Sequence, residues 1–334
     1  MPELPFQQQK RAILVRFDAP TSPEFGKDPT TRSTQDLITY GIINIDKPSG
    51  PTSHQVSDYV QKILGIQKAG HAGTLDPRVT GVLPIALDKG TRVVQALLPA
   101  GKEYVCIMHL HDDVPEEKIR KVIDEFTGKI SQLPPVKSAV KRQVRQRNIY
   151  YIDIKEVDGR DVLFVVGCQA GTYIRKLCHD IGRTLGIGAH MADLRRTKAG
   201  PFDESTLVTL QNLTDAWHYF KEENNDSYLR KCIQPMETAI AALPKVWILD
   251  STVDTLCHGA NLNVPGIAKV EEGIEKDNLV AILSLKGELV SLGIAQIPSK
   301  EMLGEKGIAV KTEKVFMEPG VYPKFAKKDQ STTK

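Results

Sequence analysis

Residues 70 to 84 carry the string Gly70-His71-Ala72-Gly73-Thr74-Leu75-Asp76-Pro77, followed by Gly81-Val82-Leu83-Pro84. Glycine and proline at this density force a tight, strained loop, and the apolar run from Val82 to Leu87 predicts a buried strand that ties the loop to a core. The loop presents one carboxylate, Asp76. An isolated Leu-Asp-Pro is more often a plain turn in which the aspartate bonds its own backbone. The whole string makes a stronger case for a site.

The flanking segments show how such a loop can be supported. Ile42-Ile43-Asn44-Ile45 predicts a short strand that ends in the turn cluster Asp46-Lys47-Pro48-Ser49-Gly50-Pro51. A helix follows, with Thr52 or Ser53 as N-cap, Val56, Val60, Ile63 and Leu64 on one face, and Gly65 as its stop. A second helix is expected over 116–127, with Asp113 as cap and Gly128 as terminator. Strand-like runs over 104–110, 149–154 and 162–168 mix with these helices in no βαβ rhythm, which predicts an α+β fold with a mainly antiparallel sheet.

The chain of 334 residues has room for two domains. Residues 1–36, rich in Pro, Thr, Ser and charge, are expected to form an N-terminal arm that packs on the second domain. A main domain is expected over 37–244 and a small β-barrel-like module over 245–325. The module would be built from strands near 279–285, 288–296 and 307–315 with a turn at Lys286-Gly287. A polar tail covers 326–334.

At 41% hydrophobic and 25% charged residues the composition is that of a globular protein. No apolar run approaches the ~18 residues of a membrane helix, and Met1-Pro2-Glu3-Leu4-Pro5 has no signal-peptide character. The expectation is a cytoplasmic protein without membrane contact. The cysteines, Cys106, Cys168, Cys178, Cys232 and Cys257, show no paired spacing and read as small buried hydrophobes. In Cys106-Ile107-Met108-His109-Leu110-His111 alternate side chains of a strand would face opposite sides, so no metal site is expected.

A formal charge of only +3 means that any case for nucleic acid rests on clustering. Lys137-Ser138-Ala139-Val140-Lys141-Arg142-Gln143-Val144-Arg145-Gln146-Arg147 is basic without one acid and begins as a loop after Leu133-Pro134-Pro135. Lys137, Lys141, Arg142, Arg145 and Arg147 are therefore candidate phosphate contacts, against the alternative of a solvated charged surface. Cys168 through Leu177 joins a strand to a helix, with Tyr173 and Arg175 in the helix's first turn. An arginine there, disfavoured by the helix dipole, would gain from a carboxylate brought from elsewhere, and the segment alone fits a solvent-facing arginine equally well.

Together, Gly41-Ile42-Ile43-Asn44-Ile45-Asp46-Lys47-Pro48, Gly70-His71 through Asp76-Pro77, Lys102-Glu103-Tyr104, Gly171-Thr172-Tyr173-Ile174-Arg175 and Leu194-Arg195-Arg196-Thr197 resemble the pseudouridine synthases of the TruB and dyskerin group. His258-Gly259-Ala260, Val264-Pro265-Gly266-Ile267 and Leu292-Gly293-Ile294-Ala295 resemble a PUA domain. The long N-terminal arm, the basic segment and the attached module are more similar to the archaeal dyskerin type than to the bacterial tRNA enzyme.

The resemblance implies a pseudouridine synthase catalytic domain followed by a PUA domain, and an activity that isomerises uridine without cofactor or metal. Asp76 would be the catalytic carboxylate, attacking either the uracil ring or the ribose, with Arg175 holding it charged in a dry pocket. Tyr104 would stack on the base, Tyr173 would order the ring or assist proton removal, Leu194 would line the apolar wall and His71 would fill the space the base leaves. The resemblance further implies an H/ACA particle acting on ribosomal RNA and on the tRNA T-loop. Its partners would be a guide RNA, whose end the PUA residues His258, Gly259 and Ala260 would help to hold, and Nop-type, Gar-type and kink-turn-binding proteins. A guide-independent tRNA enzyme and a non-catalytic RNA scaffold are the alternatives.

Overall fold

The computed structural model describes residues 2–134 and 141–324. The chain forms two compact units, one from residues 1–9 and 38–234, the other from residues 10–37 and 235–334.

The first unit is built on a ten-stranded mixed sheet. Its path runs through Gly41–Lys47, Thr80–Leu87, Ala189–Ala199, Lys102–Leu110, Asp161–Cys168, Arg145–Asp158 and Gly128–Gln132. The short strand Ala69–His71 pairs with Thr80–Leu87, so the segment joining them, with Asp76 in it, is a return loop on that strand. One junction near the middle is parallel, Thr80 opposite Arg195 and Gly81 opposite Arg196, while its neighbours on either side are antiparallel.

The helix Ser53–Leu64 has the expected ends. Thr52 accepts from Gln55 N at 3.1 Å, Gln55 Oε1 accepts from Thr52 N at 2.8 Å, and Gly65 stops the helix at φ +61°. The second helix differs from expectation: it spans Glu116–Asp124 and starts after Pro115 with no side-chain cap. Asp113 is drawn off by Arg160, whose Nε donates to it at 2.8 Å. This helix contributes Ile119, Val122 and Ile123 to the main core. The helix Ile174–Leu185 adds Ile174, Leu177, Cys178, Ile181 and Leu185, against Cys106, Met108, Phe164 and Val166 of the sheet.

The strand expected over 149–154 is longer, Arg145–Asp158, and pairs with an unexpected strand, Gly128–Gln132. Part of the basic segment is thus a hairpin arm rather than a loop, with Gln132 opposite Arg145 and Ile130 opposite Arg147.

The second unit is a seven-stranded sheet in the order Ile13–Val15, Ile267–Glu271, Lys245–Ile248, Leu279–Leu283, Leu289–Ala295, Ile308–Val315, Leu262–Asn263. Residues 10–37 belong to it: Ile13 to Val15 pair with Glu271 to Lys269, and Lys27 N donates to Glu288 at 2.9 Å. Residues 2–9 instead cluster with the first unit, where Leu4 is fully buried near Gly101. The cut after Gln234 falls ahead of residue 244, because Glu237 takes a two-pronged bond from Arg32 at 2.7 Å and accepts from Leu289 N at 2.9 Å. The helix Asp250–Cys257, hidden in a sequence that opens with turn-like Asp-Ser-Thr, buries Val253 and Leu256 in this unit's core.

Candidate active site

The Asp76 loop is held from below. Leu75 and Val79 are buried anchors on either side of the carboxylate. Leu75 N donates to Ser53 Oγ at 2.8 Å and Ser53 Oγ donates back to Leu75 O at 3.1 Å, which docks the loop on the start of the Ser53–Leu64 helix. Gly50 N donates to Pro77 O at 2.9 Å, and Val79 N to Asp76 O at 3.0 Å. Gly81 adopts φ +99°, and a Cβ there would collide with the Arg196 carbonyl, so only glycine lets the two strands close.

Lys47 completes the support. It is 0% exposed, and its ammonium donates to the carbonyls of Pro48, Pro77 and Val79, each at 2.9 Å. Burial lowers its pKa, while the nearby Asp76 pulls it back up. Arg196, 1% exposed, spans the loop: Nε donates to Val82 O at 2.7 Å and Nη2 to Gly73 O at 3.2 Å. Lys102 is buried with three carbonyl acceptors, Leu97 and Leu98 at 3.0 Å and Ala100 at 2.6 Å, and burial brings its pKa down to about 7. Among the described residues none of these three cations forms an ion pair with a carboxylate, and each holds backbone oxygens instead.

Asp76 and Arg175 form an ion pair across the site. Tyr173 is the N-cap of the Ile174–Leu185 helix, one position before the first turn, and Arg175 is the helix's second residue. The expected dry pocket is not what the free chain presents. The side chains of Asp76 and Arg175 are 54% and 58% exposed.

Tyr104 lies half-buried on the Lys102–Leu110 strand, near enough to Asp76 and Arg196 to feel both charges. Burial raises its phenol pKa and Arg196 opposes the rise. His71 ends the Ala69–His71 strand. Its pKa is lowered by burial, then by Arg196 and His54, which disfavours the charged ring, and its buried Nδ1 has no partner among the described residues. Leu194, opposite Cys106 on the neighbouring strand, is buried in the same core as Leu75 and Tyr104.

The basic candidates separate. Lys141 and Arg142 are exposed, whereas Lys137 lies outside the described residues. Arg145 is partly buried with an unpartnered Nε. Arg147 is committed to the protein: Nε donates to Gly171 O at 3.2 Å and Nη1 to Gln146 O at 2.8 Å, which steadies the turn ahead of Tyr173. In the second unit, His258 follows the Asp250–Cys257 helix with Nδ1 at 2.8 Å from Asp254 O. Gly259 has φ +87°, and Ala260 O accepts from Thr312 Oγ1 at 2.7 Å.

Sequence reasoning assigns no role to Lys47, Lys102, Arg196 or Gln132, and gives Ser53 only that of a candidate helix cap. A signal exists for Lys102 and Arg196, since each is a cation inside a strand at the parity of core residues: Lys102 two before Tyr104, Arg196 two after Leu194.

Known proteins share this sequence and fold over nearly the whole chain. Residues 61–174 match the model of the TruB family pseudouridylate synthase N-terminal domain, and 175–241 that of the tRNA pseudouridylate synthase B C-terminal domain. Residues 244–316 match the PUA domain and 2–57 the DKCLD domain. The chain is 59% identical over 319 residues to the probable tRNA pseudouridine synthase B of Pyrococcus abyssi, covering 95% of this chain and 96% of that protein. It is 57% identical over 322 residues to the protein of that name from Methanopyrus kandleri, covering 96% and 95%. Among solved structures it resembles a chain of a Cbf5-Nop10-Gar1 complex, with TM-score 0.93 and 57% identity over 97% of this chain and 99% of that one. A chain of an H/ACA RNP bound to a substrate RNA containing 2'-deoxyuridine gives TM-score 0.91 and 55% identity over 96% and 99%. Near-complete coverage at this identity leaves one conclusion: the chain belongs to the TruB family of pseudouridylate synthases, in the form that carries DKCLD and PUA domains.

Proposed function

We propose that this chain converts uridine to pseudouridine in RNA as the catalytic subunit of an H/ACA particle, with a guide RNA choosing the uridine. Asp76 is the catalytic carboxylate in this reading. The observation that carries it is the Asp76–Arg175 ion pair, set on a loop braced by buried cations and lying near the half-buried Tyr104.

The isomerisation breaks the bond between ribose C1' and N1 of the base and forms one between C1' and C5. C5 gives up a proton and N1 gains one. Attack on the ring and attack on the ribose both require an ionised Asp76, which Arg175 favours. The uridine has to leave its stack, and Tyr104 offers the everted base an aromatic face. Because the ion pair is open to water in the free chain, the arriving nucleotide would itself supply the water exclusion that strengthens it. Tyr173 orders the ring or assists proton removal, Leu194 forms apolar wall, and His71 takes the space the base vacates.

The guided reading rests on likeness over nearly the full chain to the proteins of the Cbf5-Nop10-Gar1 complex and the RNA-bound H/ACA particle. By that likeness its partners are Nop-type and Gar-type proteins and RNA; a guide RNA, a kink-turn binder, and ribosomal RNA and the T-loop of tRNA as targets are what the family resemblance adds to this reading. The site of action is the cytoplasm in this reading. No helix among the described residues is long and apolar enough to cross a membrane. Lys141, Arg142 and Arg145 serve the target strand, and His258, Gly259 and Ala260 the guide. Purified protein assayed on a ribosomal target with and without guide and partner proteins tests the proposal. Turnover should require the guide, and full ribosomal activity without it would replace this reading with a guide-independent enzyme.

A further inference from the structure

We propose that Arg196 is a positioning residue for this reaction, fixing the Tyr104 ring and both ends of the Asp76 loop relative to one another; the proposal rests on the pseudouridine synthase reading above. A fully buried guanidinium without a carboxylate is among the costliest groups a fold can carry, and it persists only where its hydrogen bonds do something a neutral side chain could not. Its immediate neighbour shows the ordinary alternative. Arg195 bonds Asp46 at 3.0 Å and Glu204 at 2.6 Å and is partly exposed.

Alternation along the strand makes Arg196 face inward with Leu194, and the register sets what stands beside it. Lys102 pairs with Ala199 and Glu103 with Lys198, but Tyr104 pairs with Arg196, so Thr197 is an extra residue in the ladder. This bulge lets Thr197 Oγ1 and Lys198 Nζ both reach Glu103, at 2.8 and 3.0 Å. Arg196 is left beside Tyr104, in the same core as Leu194. On its other side it stands opposite Gly81 in the parallel ladder, where the missing side chain brings the strands together.

From that junction one rigid fork makes two hydrogen bonds and lies against the ring across the ladder. Nε holds Val82 O after the Asp76 loop, Nη2 holds Gly73 O before it, and the guanidinium faces the Tyr104 hydroxyl closely enough to oppose the burial-driven rise of the phenol pKa. The ring that receives the base and the loop that carries the carboxylate therefore cannot move independently. A lysine would keep the charge, but its single ammonium on a flexible stem could not meet all three points in this geometry.

The test compares Arg196→Lys, Tyr104→Phe and their combination in the full chain, assembled with guide RNA, target RNA and partner proteins. Single-turnover rates are read at saturating RNA alongside RNA affinity and melting temperature. Arg196→Lys should slow the step about tenfold or more with RNA affinity changed by no more than about twofold. Tyr104→Phe should slow it too, and the double variant should be no slower than Arg196→Lys within about twofold, because the hydroxyl has already lost its orienting partner. Losses that multiply, or full rate in Arg196→Lys, overturn the proposal. Should Arg196→Lys fail to fold, Tyr104→Phe decides alone: full rate without the hydroxyl overturns it, and a loss confined to the rate supports it. Asp76→Asn run in parallel separates the two claims, since turnover in that variant refutes the enzymatic reading while its inactivity leaves Arg196 to be judged by its own result.

Discussion

Gln132 holds the backbone of Tyr173 on both sides. Its Nε2 donates to the Tyr173 carbonyl at 3.1 Å, and its Oε1 accepts from the Tyr173 N–H at 3.0 Å. Gln132 is a buried polar residue at the end of the Gly128–Gln132 strand, and Tyr173 caps the helix that carries Arg175. The direction in which Arg175 meets Asp76 is thus set by a hairpin remote from both in sequence.

Gln132→Ala should uncouple that alignment. Removing both bonds and leaving the Tyr173 groups without this partner costs about 1–3 kcal/mol of stability. A shift of up to ~1 Å at the helix start lowers the single-turnover rate by about 10- to 100-fold. Melting curves and rates at saturating RNA check this. A variant that loses stability but keeps its rate would mean the helix start is fixed by other contacts.

The state of His71 gives a pH prediction. Burial, followed by Arg196 and His54, holds its pKa below the ordinary 6.5, so below pH 6.5 the unfolded chain takes up a proton that the folded chain resists. The stability contribution is complete above that value and is lost as pH falls toward the folded pKa. Replacing His71 with Gln, which does not titrate, should flatten the drop in melting temperature between about pH 7 and pH 5. An equal drop in variant and parent would assign the acid sensitivity to other groups.

Several parts of this arrangement are legible in the sequence because they are local. The Ser53–Leu64 helix announces itself through apolar spacing, a capping box and Gly65, and the Asp76 loop through its glycines. What escapes depends on register or on distant partners. The bulge at Thr197, next to Arg196, leaves no mark in composition. Asp113 looks like a helix cap until Arg160, 47 residues on, claims it. The exposure of the Asp76–Arg175 pair cannot be read from two motifs that meet only in three dimensions.

The basic segment divides into residues available to RNA and residues used by the fold. Neutralising exposed Lys141 and Arg142 together with Arg145 should weaken RNA binding and reduce its salt dependence by about 0.7–0.9 log unit for each phosphate left without its cation. Arg147→Gln should leave the slope nearly unchanged and instead loosen the turn at Gly171, to which its Nε donates. Binding measured across a salt series separates the two, and an unchanged slope in the triple variant would return the segment to an ordinary solvated surface.

The most direct measurement is pseudouridine formation by Asp76→Asn in the assembled particle, with RNA affinity measured on the same preparation. The substitution removes the negative charge opposite Arg175 and touches none of the proposed phosphate-binding side chains. Turnover should vanish while RNA affinity stays within about threefold. Pseudouridine formed at a rate comparable with the parent would contradict the assignment of the catalytic carboxylate to residue 76.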